Sequence, residues 1–136
     1  VKYLNDQPKI NFEKNIRIND QITFLGYNKI LDNYQLFWEV KERPQNNYQL
    51  KTTISGDQQK KVLPLAYNMP PSSYWQPNQI IQTNYWFDVS QAKDANYQIE
   101  LNLIQIIKGG LDLDDLRSTK KTIDEYKKIG PTIVLN

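Results

Sequence analysis

The sequence predicts an all-β fold, a two-sheet antiparallel sandwich of immunoglobulin-like or jelly-roll character, in a single domain spanning residues 1–136. Three observations carry this expectation. Apolar and polar residues alternate with a period of two in several short stretches, which is how a strand with one wet face is written. Aromatic and β-branched residues, which pack well on a pleated surface, are concentrated in those stretches. Clusters of Asn, Asp, Gly, Pro and Ser separate them at intervals suited to short strands.

The clearest alternations come from four places. Tyr34, Leu36, Trp38 and Val40 share one parity, opposite Gln35, Phe37, Glu39 and Lys41. Tyr48, Leu50, Thr52 and Ile54 make a second set. Ile81, Thr83, Tyr85, Phe87 and Val89 alternate with Gln82, Asn84, Trp86 and Asp88, and Tyr97, Ile99, Leu101 and Leu103 with Gln98, Glu100 and Asn102. Around these lie weaker candidates. Ile16, Ile18, Ile22 and Phe24 share a parity, with a turn or bulge at Asn19-Asp20. Residues 62–67 predict a short strand that Pro64 confines to a sheet edge. Residues 131–136 read as a closing strand. Turns are expected at 31–33, 43–46, 55–57 and 93–96.

One segment departs from the pattern. Leu113, Leu116, Ile123, Tyr126 and Ile129 follow a loose helical spacing, and Lys127-Lys128 ahead of Gly130-Pro131 suits a helix stop. A loop or short helix near 111–129 is therefore expected, with an irregular hairpin as the alternative.

Composition narrows the chemistry. At 39% hydrophobic and 24% charged, the chain is apolar enough to fold and too apolar for a disordered segment. Cysteine and histidine are both absent, which removes disulfides, thiolate chemistry and every histidine-dependent triad. The net charge of +2 is spread out, and acidic Asp124-Glu125 interrupts the Lys120-Lys121 and Lys127-Lys128 pairs, so no phosphate-tracking stripe exists and nucleic acid is not an expected partner. No apolar run reaches the ~18 residues of a membrane span. The chain begins with Val1, as a processed product or an excised domain does.

Three clusters hold the candidate chemistry. Asp112, Asp114 and Asp115 form the main acidic cluster and the one metal candidate, for calcium. The cluster lacks EF-hand spacing and a distal Glu, and carboxylates at a helix start serve the macrodipole equally well. No cofactor is expected. Glu39 with Glu42, or Asp88 with Glu100, are carboxylates of the kind a glycosidase pairs, but Glu39, Asp88 and Glu100 fall on the polar parity of their strands, where solvated surface explains them better. Tyr74, Trp75 and Trp86 are candidate ligand-binding residues, offering flat amphipathic faces to a sugar ring or lipid head group. The competing reading makes Trp75 a plug at a rigid corner. That corner, Pro70 to Pro77, packs three prolines beside Trp75 and then runs into the strand carrying Trp86. Trp38 is expected in the core.

The order of these blocks resembles a known family. Ile22-Thr23-Phe24-Leu25-Gly26-Tyr27 is similar to its opening hydrophobic strand with Leu-Gly-Tyr, and Tyr34-Gln35-Leu36-Phe37-Trp38-Glu39-Val40 to its second strand with a central Trp. Pro71-Ser72-Ser73-Tyr74-Trp75-Gln76-Pro77-Asn78-Gln79-Ile80-Ile81 resembles its Pro-Thr-Ser-x-Trp-x-Pro-Gly-Glu-x-Val turn, with Asn78-Gln79 in place of Gly-Glu. Tyr97-Gln98-Ile99-Glu100-Leu101-Asn102-Leu103-Ile104 is similar to a later strand. The family is the soluble β-sandwich region at the C-terminal end of bacterial multi-span membrane glycosyltransferases like the dolichyl-phosphate-mannose protein mannosyltransferases. The resemblance covers residues 16–107, and the segment 109–130 has no counterpart in it.

It implies a non-catalytic accessory domain on the extracytoplasmic face of a bacterial membrane. The expected partners are a glycan or the membrane part of the same chain, with catalysis residing in that membrane part. The alternative from the residues themselves is a free-standing carbohydrate-binding module using exposed aromatics.

Overall fold

The computed structural model describes residues 2–4, 6–31, 33–54, 59–65, 72–87, 97–108 and 125–135. Among them the chain is all-β, with nine strands in two antiparallel sheets, the make-up of a β-sandwich. The chain divides into two compact units, residues 1–47 with 66–90 and residues 48–65 with 91–136, each built on one sheet.

The first unit holds five strands in the order β1 (Lys2–Leu4), β7 (Ile80–Trp86), β4 (Asn33–Val40), β3 (Ile22–Ile30) and β2 (Phe12–Arg17). The alternation in the sequence sets its faces. Tyr34, Leu36, Trp38 and Val40 of β4 are buried, as are Ile81, Thr83 and Tyr85 opposite them on β7. Trp38 is in the core as expected. Its indole nitrogen donates to Thr83 Oγ1 at 2.8 Å, so the largest side chain of this face is buried without an orphaned donor. The turn expected at Asn19-Asp20 closes the β2–β3 hairpin. Asn19 Oδ1 accepts from the amides of Gln21 and Ile22 at 2.8 and 2.9 Å, and Arg17 pairs with Asp20.

Phe37 departs from the simple pattern. It lies on the polar parity of β4 yet is buried. Its cross-strand partner is Gly26, at a bulge where the β3 register shifts, and the segment before β2 crosses this face. A Cβ on Gly26 would sit 2.7 Å from Ile10 Cγ2 and against the Phe12 carbonyl, at φ +152, so only glycine fits. Asn28 ties the crossing segment down, donating to the Lys9 carbonyl at 2.9 Å and accepting from the Asn11 amide at 2.6 Å.

The second unit has four strands in the order β6 (Gln59–Pro64), β5 (Gln49–Ile54), β8 (Ile99–Lys108) and β9 (Glu125–Leu135). Leu50, Thr52 and Ile54 are buried together with Ile99, Leu101, Leu103, Ile133 and Leu135. Pro64 ends β6, which is an edge strand as the proline requires.

The loop or short helix expected near 111–129 is corrected at its C-terminal end, where the alternative of an irregular hairpin fits instead. Residues 125–129 belong to β9, antiparallel to β8, and residues 109–124 lie outside the described residues. A bulge interrupts β9 just after this stretch. Leu101 pairs with Ile133 and Leu103 with Ile129, so Gly130, Pro131 and Thr132 stand opposite Asn102 alone. Tyr126 and Ile129 precede the bulge, in unbroken register with Ile106 and Leu103, so they fall on opposite faces of the strand and their three-residue spacing is not that of a helix. Gly130 takes φ +72 there. Thr132 Oγ1 donates to Asn102 Oδ1 at 2.7 Å, and Lys128 Nζ donates to Thr132 Oγ1 at 2.7 Å. A proline inside an edge strand at a bulge costs no ladder bond.

Candidate functional site

The three aromatic candidates do not converge. Trp75 follows a single 3₁₀ turn, Ser72–Tyr74, and is wholly buried. Hydrogen bonds tie this corner to the segment after β4. Ser72 Oγ donates to the Asn46 carbonyl at 2.9 Å, the Ser73 amide to Asn47 Oδ1 at 3.1 Å, and Arg43 Nε to the Ser73 carbonyl at 2.7 Å. Tyr74 is 59% exposed, with the Arg43 guanidinium 5.9 Å from its ring centre. The corner then enters β7 through Asn78, whose φ of +67 is a left-handed conformation that asparagine tolerates. The Asn78 amide donates to the Val40 carbonyl and the Val40 amide to the Gln79 carbonyl, both at 2.9 Å.

Trp86 lies at the other end of β7. Its register partner is Asn33, the first residue of β4, whereas Ile80 at the start of β7 pairs with Glu39 near the end of β4. Six strand residues separate the two ends, about 20 Å. Tyr74 and Trp86 therefore cannot share one ligand ring, and Trp75 contributes no surface.

What surrounds Trp86 is more informative. It is 60% exposed, on the parity opposite buried Tyr85, as the alternation predicts. Register aligns Trp86 with Asn33, and Asn33 with Ile30 of β3, so the three form a row across one sheet face. The next row inward is Asn84, Gln35 and Asn28. Neither row carries a charged side chain. Gln82, 8% exposed, donates to Asn84 Oδ1 at 3.0 Å, and Asn28 Nδ2 donates to Gln35 Oε1 at 3.4 Å, so buried or half-buried amides orient those nearer the surface.

Beyond the row is the β3–β4 hairpin tip. Leu31 is 85% exposed and takes φ +55, and Ile30 beside it is 56% exposed. Hairpin turns of this kind favour Gly, Asn or Asp at positive φ, and a leucine there is strained. The sequence marks residues 31–33 as a turn and assigns no role to Ile30 or Leu31. The available signal was the leucine itself, a bulky apolar residue where turn chemistry asks for a small or polar one.

The remaining candidates bring little together. A cleft of about 210 Å³ beside the corner is lined by Glu39, Val40, Lys41, Asn78, Gln79 and Ile80, and its carboxylate is paired with Lys41 at 3.1 Å. Glu42 is exposed in the loop that follows β4, and Glu100 is exposed in the second sheet. Asp88, Asp112, Asp114 and Asp115 lie outside the described residues. Among the described residues no cluster of three metal-ligating side chains occurs, and no helix is long and apolar enough to cross a membrane.

Comparison with known proteins returned nothing: no family model, no curated protein and no solved structure matches this chain.

Proposed function

We propose that this chain is a non-catalytic accessory domain of a bacterial membrane glycosyltransferase, placed on the extracytoplasmic face and working by contact rather than by chemistry. The setting comes from the sequence resemblance. The observation that carries the contact role is the exposed end of the five-stranded sheet, where Trp86, Ile30 and Leu31 stand clear of the fold. The geometry of Asn78 is compatible with the resemblance, since a left-handed turn position accepts Asn in place of Gly. The complete reading frame of the gene tests the setting. Many apolar spans are expected ahead of Val1, and a short upstream region without spans overturns it.

A second reading is favoured by the amide rows. Trp86 flanked by Asn33, Asn84 and Gln35 offers a ring face with uncharged hydrogen-bonding groups beside it, the chemistry a neutral sugar needs. On this reading the chain is a free-standing carbohydrate-binding module. It predicts glycan-array binding that Trp86→Ala abolishes with the fold intact, and an array on which the parent protein binds nothing removes it.

A further inference from the structure

We infer that the Ile30–Leu31 hairpin tip, with Trp86 beside it, seats in the interfacial region of a lipid bilayer. The inference rests on the proposed placement of the domain at a membrane, and names lipid as the partner of that same exposed end.

Three observations lead to it. First, Ile30, Leu31 and Trp86 account for half of the large hydrophobic side chains that are exposed among the described residues, and register and chain connectivity bring them to one hairpin tip. Second, Leu31 is held at φ +55, a conformation that asparagine or glycine would adopt with less strain. A strained residue exposing a leucine to water is disfavoured twice, which points to a role outside the fold. Third, the exposed area is small. Three part-exposed side chains offer on the order of 400 Å², about half of what each side of a stable protein interface buries. A second copy or a folded partner would find too little here, whereas a bilayer accepts single side chains.

The side chains suit the layers of an interface. Leucine and isoleucine gain from leaving water, roughly 1.5–3 kcal/mol for a fully buried side chain, and tryptophan favours the head-group level, where its ring is half apolar and half wet. Asn33, Asn84, Gln35 and Asn28 behind the tip bring no charge toward the lipid. In sequence the tip lies between Lys29 and Asp32, which balance each other. Attraction is therefore apolar and indifferent to lipid charge.

The protein carries its own probe. Trp38 and Trp75 are buried, leaving Trp86 as the exposed indole. Vesicles of phosphatidylcholine, alone or with one quarter phosphatidylglycerol, are expected to shift its emission to the blue by the same amount, and acyl-brominated phosphatidylcholine to quench it. Leu31→Asn is expected to weaken vesicle partitioning at least about tenfold while leaving the thermal unfolding temperature unchanged or higher, which separates loss of docking from loss of fold. Absence of a shift on either vesicle overturns the inference, as does a shift that needs phosphatidylglycerol and disappears in salt. Quenching by laminarin, mannan or cellohexaose without any vesicle effect overturns it in favour of the glycan reading. A reading frame with membrane spans and no vesicle shift removes the inference alone. Vesicle binding by a chain whose reading frame lacks spans keeps the tip and removes the glycosyltransferase setting.

Discussion

The two ends of the five-stranded sheet treat their aromatic residues in opposite ways. At the corner end, Trp75 is buried, three hydrogen bonds anchor the preceding turn, and the left-handed position is filled by an asparagine that accepts it. At the hairpin end, Trp86 is exposed, and the left-handed position is filled by a leucine that does not suit it. The corner obeys local turn chemistry and spends its large side chain on packing. The hairpin violates the same chemistry and leaves its large side chains in water. Where local preference and structure agree, a residue is explained by folding. Where they conflict at an exposed position, the explanation lies outside the fold.

The contrast is sharpest in stability. Trp75→Ala is expected to destabilise by about 3–5 kcal/mol, the loss of a wholly buried indole, measured by urea unfolding. A change under 1 kcal/mol would break the claim that the corner is structural. Ser72→Ala is expected to cost about 1–2 kcal/mol, because a buried hydroxyl that donates to the Asn46 carbonyl is removed.

The two left-handed residues make the next test. Asn78→Ala is expected to cost about 1 kcal/mol and Asn78→Gly much less, whereas Leu31→Gly is expected to stabilise by up to about 1 kcal/mol. Thermal melts of the three variants check the signs. A Leu31→Gly variant that melts lower would mean the leucine is held by the fold after all. The smallest effect belongs to Trp86→Ala, within about 0.5 kcal/mol of the parent. The same variant is the one expected to lose glycan or vesicle binding measured by co-sedimentation, so stability and binding separate at this residue.

Most of the architecture was legible because side chains on a strand alternate strictly. In Tyr34–Val40, Tyr48–Ile54, Ile81–Tyr85 and Ile99–Leu103 the apolar parity is buried throughout, and, Phe37 and Gln82 apart, the other parity is half-buried or exposed, which is why Trp86 emerged on the exposed side. Illegibility began where the period was interrupted. In β9 the apolar Tyr126 and Ile129 sit on opposite faces, so no clean alternation marked the strand, and the Gly130–Thr132 bulge then broke its register. The bulge after Phe24, together with the crossing segment held by Asn28, buried Phe37 against its parity. Of the candidate site, Trp86 could be seen in advance. Its neighbours could not, because they reach it through strand register rather than through sequence distance.

Sequence alone determined the all-β class, the strand edges marked by Pro64 and Asn19-Asp20, and which parity of each regular strand is apolar. These follow from backbone geometry, which is local. Tertiary structure decided which strands are neighbours, and hence that Ile30, Asn33 and Trp86 form one row while the corner enters β7 at the other end, about 20 Å along the strand. Hydrogen-bond register sets that row, and register is a property of paired strands, not of either strand alone.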